Sequence, residues 1–397
     1  MEELFSISRK KINEVPLTFS RYLFRKIDVQ RQLIGIKGAR GSGKTTLLLQ
    51  LLKIISEKSP EDVLYLSLDN LYFSNNSLFD LAGYFYKIGG KYLYLDEVHK
   101  YKNWAQEIKN IYDSYSDIHI VFTGSSALEI DKGMYDLSRR ALMFTLYGLS
   151  FREFLSLKYQ IILPVFSLNE VMNNHIAIAK QILDKIKPFK YFYEYLSEGY
   201  YPFFVVEKEY YLQQLQQTIN MVIETDLPAI YNIEYSSTLK LKKLLYLIGG
   251  IVPYIPNIKK LSEQIGTTRD TLLRYLHLLH NAHIVRWLSS NASGINFMNK
   301  PEKLYLQNTN IAYSLRRNMN IGNLRETFFL NQLSVNHIVT YPQKGDFMID
   351  EKYLFEIGGK NKSNKQISRI KNAYIAADEI EYGFNNKIPL WIFGFLY

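Results

Sequence analysis

Residues 38–45 read Gly-Ala-Arg-Gly-Ser-Gly-Lys-Thr, and this short stretch restricts the fold more than any other. Three glycines within six positions let the backbone curl until successive N–H groups point inward, which makes an anion-binding cradle. The flanks fit one arrangement. Leu33–Lys37 is a short apolar run of strand type, and helical periodicity begins at Thr45. Strand, glycine loop and helix N-terminus in that order define the phosphate-loop pattern G-x-x-x-x-G-K-[ST]. The expected ligands are ATP and Mg²⁺. Gly38, Ala39, Arg40, Gly41, Ser42, Gly43, Lys44, Thr45 and Thr46 would surround the phosphates. Lys44 would reach the β- and γ-phosphates, and the Thr45 hydroxyl would bind the metal.

A second signal lies some 50 residues downstream, where Tyr92-Leu93-Tyr94-Leu95-Asp96-Glu97 is an apolar strand ending in two carboxylates. Open α/β sheets bind ligands at the C-terminal edge of their strands, so Asp96 is expected there, holding Mg²⁺ directly or through water. Glu97 has no metal to hold and is the candidate general base for an attacking water. The run Ile118–Thr123 leads into Gly124-Ser125-Ser126, and either Thr123 or Ser125 could sense the γ-phosphate. Arg140, in Leu137-Ser138-Arg139-Arg140, is the candidate to neutralise transition-state charge, in its own subunit or a neighbour's. Together these residues predict ATP hydrolysis.

Around these motifs, short apolar runs alternate with helical stretches. The strands are expected at Leu33–Lys37, Val63–Leu68, Tyr92–Leu95, Ile118–Thr123 and Leu142–Leu146, the helices at Thr45–Lys58, Leu78–Lys87 and Trp104–Ser114. That alternation predicts an α/β fold with a parallel sheet covered on both faces. Residues 1–30 read as a polar lead-in with an amphipathic segment at Phe19–Ile27. Helical signal then dominates from about 155 to 250, notably at Asn173–Ile186 and Tyr210–Glu224. The length of 397 residues suits several domains, and the absence of cysteine excludes disulfides, thiolate metal sites and a thiol nucleophile. Met1–Lys10 has no apolar core of signal-peptide length. The longest apolar stretch, Leu244–Ile255, is too short to span a bilayer and contains Gly249, Gly250 and Pro253, so a cytoplasmic protein without membrane contact is expected.

Taken together, these motifs resemble a prokaryotic family of AAA-type ATPases, within the AAA+ superfamily, that carries a C-terminal domain of unknown function. The matching pieces are Gly38–Thr46, Leu93–Glu97 with Val98-His99-Lys100, Thr123–Ser126, Leu137–Arg140 and Leu149–Phe154. Lys303–Leu306 and Phe355–Lys362 look like the family's later signatures. Arg139 departs from the pattern, because the family usually has glycine before its arginine. The resemblance implies a P-loop ATPase core at 31–155, a helical lid at 156–250, a winged helix-turn-helix at 251–322 and a restriction-endonuclease-like α/β domain at 323–397.

The residues of the C-terminal half carry their own signals. Asn257–Ile265 is amphipathic, Gly266 offers a turn, and Thr267 or Thr268 can cap a second helix over Thr268–Leu279. Second helices of this kind enter the major groove, which makes Arg269 and Arg274 candidates for DNA contact, with Lys259 and Lys260 on phosphates. The wing would comprise Ile284–Leu288, Asn291–Gly294 and Lys303–Leu306. Residues 241–397 hold 20 Lys and Arg against 11 Asp and Glu, an excess of nine that favours a polyanion such as double-stranded DNA. His277, His280 and His283 recur at three-residue spacing but lack a nearby carboxylate cluster, so no metal site is expected there.

Further on, a helix is expected at Leu324–Leu333, strands at His337–Tyr341, Phe347–Ile349 and Tyr353–Ile357, a helix at Lys365–Ala377 and a strand at Pro389–Phe395. That order resembles the endonuclease-like fold, whose metal site would fall on Glu326, Asp346 and Glu356. The lysine usually found two residues after the second carboxylate is replaced by Gly358, and Lys360 is the candidate substitute. The expected function is an ATPase whose nucleotide state controls a DNA-binding half. The rivals are a nucleotide-gated protein-interaction switch, with an unknown partner or as a homo-oligomer, and an ATP-regulated nuclease.

Overall fold

Apolar residues alternate between the two faces of each strand in the N-terminal part, and the structure uses both sets. The computed structural model describes residues 1–124, 137, 139–206, 209–231, 233–290, 300–316, 320–363, 365 and 367–397. Ser125, Ser126 and Asn291–Gly294 lie outside them. The chain divides into two compact units, Met1–Gly148 and Leu149–Tyr397.

In the first unit β1 (Leu33–Lys37), β2 (Val63–Ser67), β3 (Tyr92–Asp96), β4 (His119–Gly124) and β5 (Leu142–Thr145) form one parallel sheet in the order β2-β3-β4-β1-β5. Leu64, Leu66, Leu93, Leu95, Ile120 and Phe122 feed a core with α3 (Leu78–Lys87) and α4 (Trp104–Ser114) on one face. Ile34, Ile36, Tyr65, Tyr94 and Val121 feed a second core with α2 (Lys44–Ser56) on the other. Two buried faces explain why the strands read as continuous apolar runs.

Residues 1–30 are more than a lead-in. Glu2–Glu14 is a helix, α1, that buries Leu4, Ser8 and Ile12 at i, i+4 and i+8. It lies along β2, the edge strand, where the Ser8 hydroxyl accepts the Tyr65 backbone N–H at 2.8 Å. Only two of its three inward positions are apolar, which hid the helix among its charges.

The second unit opens with α5 (Phe151–Tyr159) and α6 (Leu168–Leu183), each started by a Ser-Glu capping box. Next come α7 (Phe189–Glu198) and α8 (Tyr211–Met221), the latter continuing through a π-helical turn into α9 (Leu227–Tyr231), then α10 (Tyr235–Gly249). The helices α11 (Ile258–Ile265) and α12 (Arg269–Asn281) meet at Gly266, whose φ of 69° is the left-handed turn that glycine allows. An antiparallel pair follows, β6 (Val285–Leu288) with β7 (Lys303–Leu306). After α13 (Thr309–Leu315) and α14 (Ile321–Leu333) comes a second sheet of β8 (Val339–Thr340), β9 (Phe347–Ile349), β10 (Tyr353–Gly358), β11 (Ala373–Ala377) and β12 (Lys387–Pro389), ordered β12-β11-β10-β9-β8. On it Phe329 of α14 meets Phe347, Phe355 and Phe393 with ring centroids 4.8–5.4 Å apart. The buried Asn310 knits the unit together: its oxygen accepts the Tyr200 N–H at 2.7 Å, and its amide donates to the Tyr195 and Leu196 carbonyls.

Two expectations fail here. Residues 373–377, expected within a helix, are β11, parallel to β10 and buried from Ala373 to Ala377 except at Tyr374. Leu390–Phe395, expected as a strand, is a fully buried 3₁₀ turn. Unbroken apolar runs carry no period, so strand and helix cannot be told apart in them. Among the described residues, no helix is long and apolar enough to cross a membrane.

The histidines of α12 are half-buried against Trp287. His280 stacks on Trp287 with centroids 4.9 Å apart and planes 11° apart, and His277 lies 5.8 Å from the same indole. Burial, aided by Arg286 and the neighbouring histidines, pushes the His280 imidazole down to about 3. The unfolded chain takes up its proton near 6.5 and the folded one far lower, so this group erodes stability as pH falls from 6.5 toward 3. The slope is at most about 1.4 kcal/mol per pH unit. Urea unfolding at pH 7 and pH 4.5 should show His280→Phe losing less stability on acidification than the wild type.

Candidate functional site

β1 delivers the chain into the 38–43 loop at the C-terminal edge of the first sheet. A Cβ on Gly38 would stand 2.3 Å from the Leu146 carbonyl oxygen, so only glycine fits the approach. Gly41 and Gly43 take φ of 82° and 94°, conformations open to glycine. Gly43 thereby caps α2, which starts at Lys44. The Lys44 ammonium donates to the Gly38 and Ala39 carbonyls at 3.0 Å each, which holds it along the inside of the loop. Ala39 and Arg40 are half-buried, and Thr46 is exposed on the first turn of α2.

The parallel register carries β3 to the same edge. Thr45 Oγ1 donates to Asp96 Oδ2 at 2.7 Å, and Thr123 of β4, fully buried, donates to Asp96 Oδ1. The Glu97 N–H donates to Thr123 Oγ1 at 3.3 Å. Glu97 itself has φ of 54°, left-handed backbone that a glutamate seldom adopts, and its carboxylate lies 3.5 Å from His99 Nε2. The structure therefore brings together Lys44, Thr45, Asp96, Glu97 and Thr123. Ser125 lies outside the described residues.

Arg140 does not join them within its own chain. β5 begins with Leu142 opposite Ile34, near the start of β1, so Arg140 precedes it at the opposite edge of the sheet. A five-residue strand spans about 16 Å. There Arg140 pairs with Asp113 at 2.9 Å and faces Tyr112.

Two residues that sequence reasoning missed are central to this edge. Tyr65 of β2, 2% exposed, donates its hydroxyl to Asp96 Oδ2 at 3.0 Å, and burial together with Asp96 pushes its phenol far up. Arg21, also buried, donates to the Ser42 carbonyl at 2.6 Å and to the Tyr147 and Gly148 carbonyls at 2.7 and 2.8 Å. It ties the loop to the last residues of the first unit. Neither has a local motif; Arg21 stands among other basic residues and Tyr65 among other aromatics.

The arrangement fits a magnesium nucleotide. Ser42 Oγ is buried inside the loop with no hydrogen-bond partner, so a polar ligand there would satisfy it. A threonine hydroxyl beside a buried carboxylate is the oxygen donor set that Mg²⁺ accepts.

The C-terminal candidates come together only in part. Glu326 receives the Lys303 ammonium at 2.7 Å and the Tyr305 hydroxyl at 3.0 Å. Burial, reinforced by Asp346, raises its pKa against Lys303. Asp346 Oδ2 accepts the Ile357 N–H at 2.7 Å. Lys362 pairs with Glu356 at 2.7 Å, and the carbonyl of Lys360, the candidate water-orienting lysine, accepts from Lys387. Among the described residues no three acidic or histidine side chains form a metal-binding group. On the helix pair, Lys259, Lys260, Arg269 and Arg274 are all exposed.

Comparison with known proteins matches this picture in the first unit. Residues 30–155 match the family described as an AAA domain, and residues 189–321 match a domain of unknown function, DUF8612. The segment 30–155 that matches an AAA domain contains the parallel sheet and the phosphate loop. An uncharacterized protein of Methanocaldococcus jannaschii is 27% identical over 426 residues, covering 95% of this chain and 89% of its own. Another, from Haemophilus influenzae, is 26% identical over 63% of this chain and 60% of its own. Among solved structures, the Walker-type ATPase of Pyrococcus abyssi superposes with a TM-score of 0.38 at 12% identity, over 78% of this chain and 94% of that one.

Arg21 gives a direct test of the loop's construction. Arg21→Met keeps the bulk and removes the donor that reaches the Ser42, Tyr147 and Gly148 carbonyls, at about 1–3 kcal/mol for a charged hydrogen bond lost in a buried setting. The expected result is a urea midpoint well below that of the wild type.

Proposed function

We propose that this protein is a magnesium-dependent ATPase whose nucleotide state controls a DNA-binding C-terminal half. The observation that carries the first part is the 2.7 Å contact between Thr45 and Asp96 beside a loop that contains Lys44 and an unpartnered buried Ser42 hydroxyl. The loop N–H groups and Lys44 bind and orient the phosphates, and the start of α2 favours their negative charge. Magnesium, held by Thr45 and Asp96, supplies charge neutralisation on the phosphate oxygens when bound. Glu97 polarises the attacking water and takes its proton. Thr123, bound to both Asp96 and the Glu97 N–H, keeps the two carboxylates in fixed relation.

DNA binding rests on the exposed cations of α11 and α12, where Arg269 and Arg274 would meet the major groove and Lys259 and Lys260 the phosphates. The antiparallel pair β6–β7 would serve as the wing, and the helices before it as a lid. An excess of nine positive charges after residue 240 supports this over a protein-only switch.

Steady-state turnover of ATP with Mg²⁺, with and without duplex DNA, tests the chemistry. Glu97→Gln should bind ATP and lose turnover by about 10²–10⁴-fold, the range of a lost general base. Wild-type turnover should rise with DNA; indifference to DNA would move the proposal to a protein partner. In a mobility-shift titration, Arg269→Ala with Arg274→Ala should weaken duplex binding, and Lys259→Ala with Lys260→Ala should flatten its salt dependence, by about one unit of slope for each phosphate left without its cation. Plasmid incubated with Mg²⁺ or Mn²⁺ should stay intact; nicking would favour the nuclease instead.

A further inference from the structure

Asp96 is held by three hydroxyls, two from residues of the phosphate-loop scheme, Thr45 and Thr123, and one from outside it. The third, Tyr65, shares Asp96 Oδ2 with Thr45, so it contacts the oxygen that faces the candidate metal ligand on α2. Tyr65 stands one strand away, opposite Tyr94 in the register, and reaches diagonally to the residue two further along β3.

What fixes Tyr65 comes from α1. β2 is the edge of the sheet, and the Tyr65 N–H on its open side would lack a ladder partner. Ser8 Oγ accepts it at 2.8 Å, and the Lys11 ammonium lies 5.0 Å from the centre of the Tyr65 ring. Ser8 and Lys11 lie before residue 30, where the AAA match begins. The path thus runs from Ser8 to the Tyr65 backbone, and from the Tyr65 hydroxyl to Asp96.

We infer that Tyr65 is a positioning residue for the magnesium site, and that α1, through Ser8, sets how firmly Asp96 is aimed at the metal. The inference rests on the proposed nucleotide site and adds to it the element that tunes its metal affinity. Groups that orient a metal-binding carboxylate typically contribute about 10–100-fold to metal affinity or activity. A phenol is suited to the task because two side-chain torsions, both packed here, leave its hydroxyl little freedom.

The test measures binding, so it does not depend on turnover. Fluorescent ATP analogue is titrated in EDTA and then at increasing MgCl₂ with wild type, Tyr65→Phe and Ser8→Ala. Affinity in EDTA should be alike in all three. The Mg²⁺ concentration that half-saturates the tightening should rise about 10–100-fold in Tyr65→Phe and by a smaller factor in Ser8→Ala. Far-ultraviolet circular dichroism reports whether each variant is folded, and Ser8→Ala, which leaves the phenol in place, decides the matter if Tyr65→Phe is not. An unchanged half-saturation in a folded Tyr65→Phe, beside a wild type that responds to Mg²⁺, would overturn the role of Tyr65. A wild type that binds no nucleotide, or binds without responding to Mg²⁺, would overturn the nucleotide reading itself and this inference with it.

Discussion

A parallel sheet delivers the C-terminal end of every strand to the same edge, and in the first unit that constraint assembles the site. β1 ends in the glycine loop, β3 in Asp96 and Glu97, and β4 runs between them with Thr123 near its end. Residues about 50 positions apart meet at 2.7 Å because Leu33 pairs with Ile120 and Leu93 pairs with that same residue. A slip of one residue in either pairing would turn Asp96 or Thr123 to the opposite face. The two apolar cores prevent that slip, since each strand has buried residues on both sides. Packing far from the loop therefore sets the geometry of this edge.

The edge also concentrates buried polar groups, which are costly unless each finds a partner. Asp96 spends its two oxygens on three hydroxyls, and Arg21 spends its guanidinium on three carbonyls. Besides α2 and β4, those groups come from β2, the segment before β1 and the chain after β5. The loop is consequently stiffened by elements that contribute no phosphate ligand. A stiff cradle has already met the entropic cost of ordering before the ligand arrives, which favours tight and oriented binding.

How much was legible follows from range. The glycine loop, the acidic strand end and the strand-helix alternation are local patterns, and the structure places all of them close to where the sequence puts them. The turn at Gly266 was legible for the same reason, because a single glycine between two amphipathic helices needs no tertiary knowledge. Tyr65 and Arg21 were not legible: a tyrosine in a β-strand is ordinarily packing, and only the neighbouring strand reveals what its hydroxyl touches. Whether Arg140 reaches the loop of its own chain was not legible by the same limit, since its distance from that loop depends on where β5 enters the sheet. The misread segments 373–377 and 390–395 are apolar throughout, and there only the surrounding sheet selects strand or turn.

The second sheet shows the same dependence at one carboxylate. Glu356 is buried on β10, where an unpaired charge would be expensive, and a cation must reach it. Position 358, which would present a side chain on the same face, is glycine. A Cβ there would stand 2.7 Å from both Cβ and Cγ of Lys362, so the lysine stem occupies the space that a side chain at 358 would take. The chain turns at 359–362, closed by the Lys362 N–H on the Gly359 carbonyl at 3.0 Å, and the ammonium returns to Glu356 at 2.7 Å. Glycine at 358 and lysine at 362 are thus one arrangement, in which the cation comes from four residues along the chain because the backbone at 358 leaves room for its stem. The fold pairs Lys362 with Glu356 because the turn brings the stem of that lysine across the glycine.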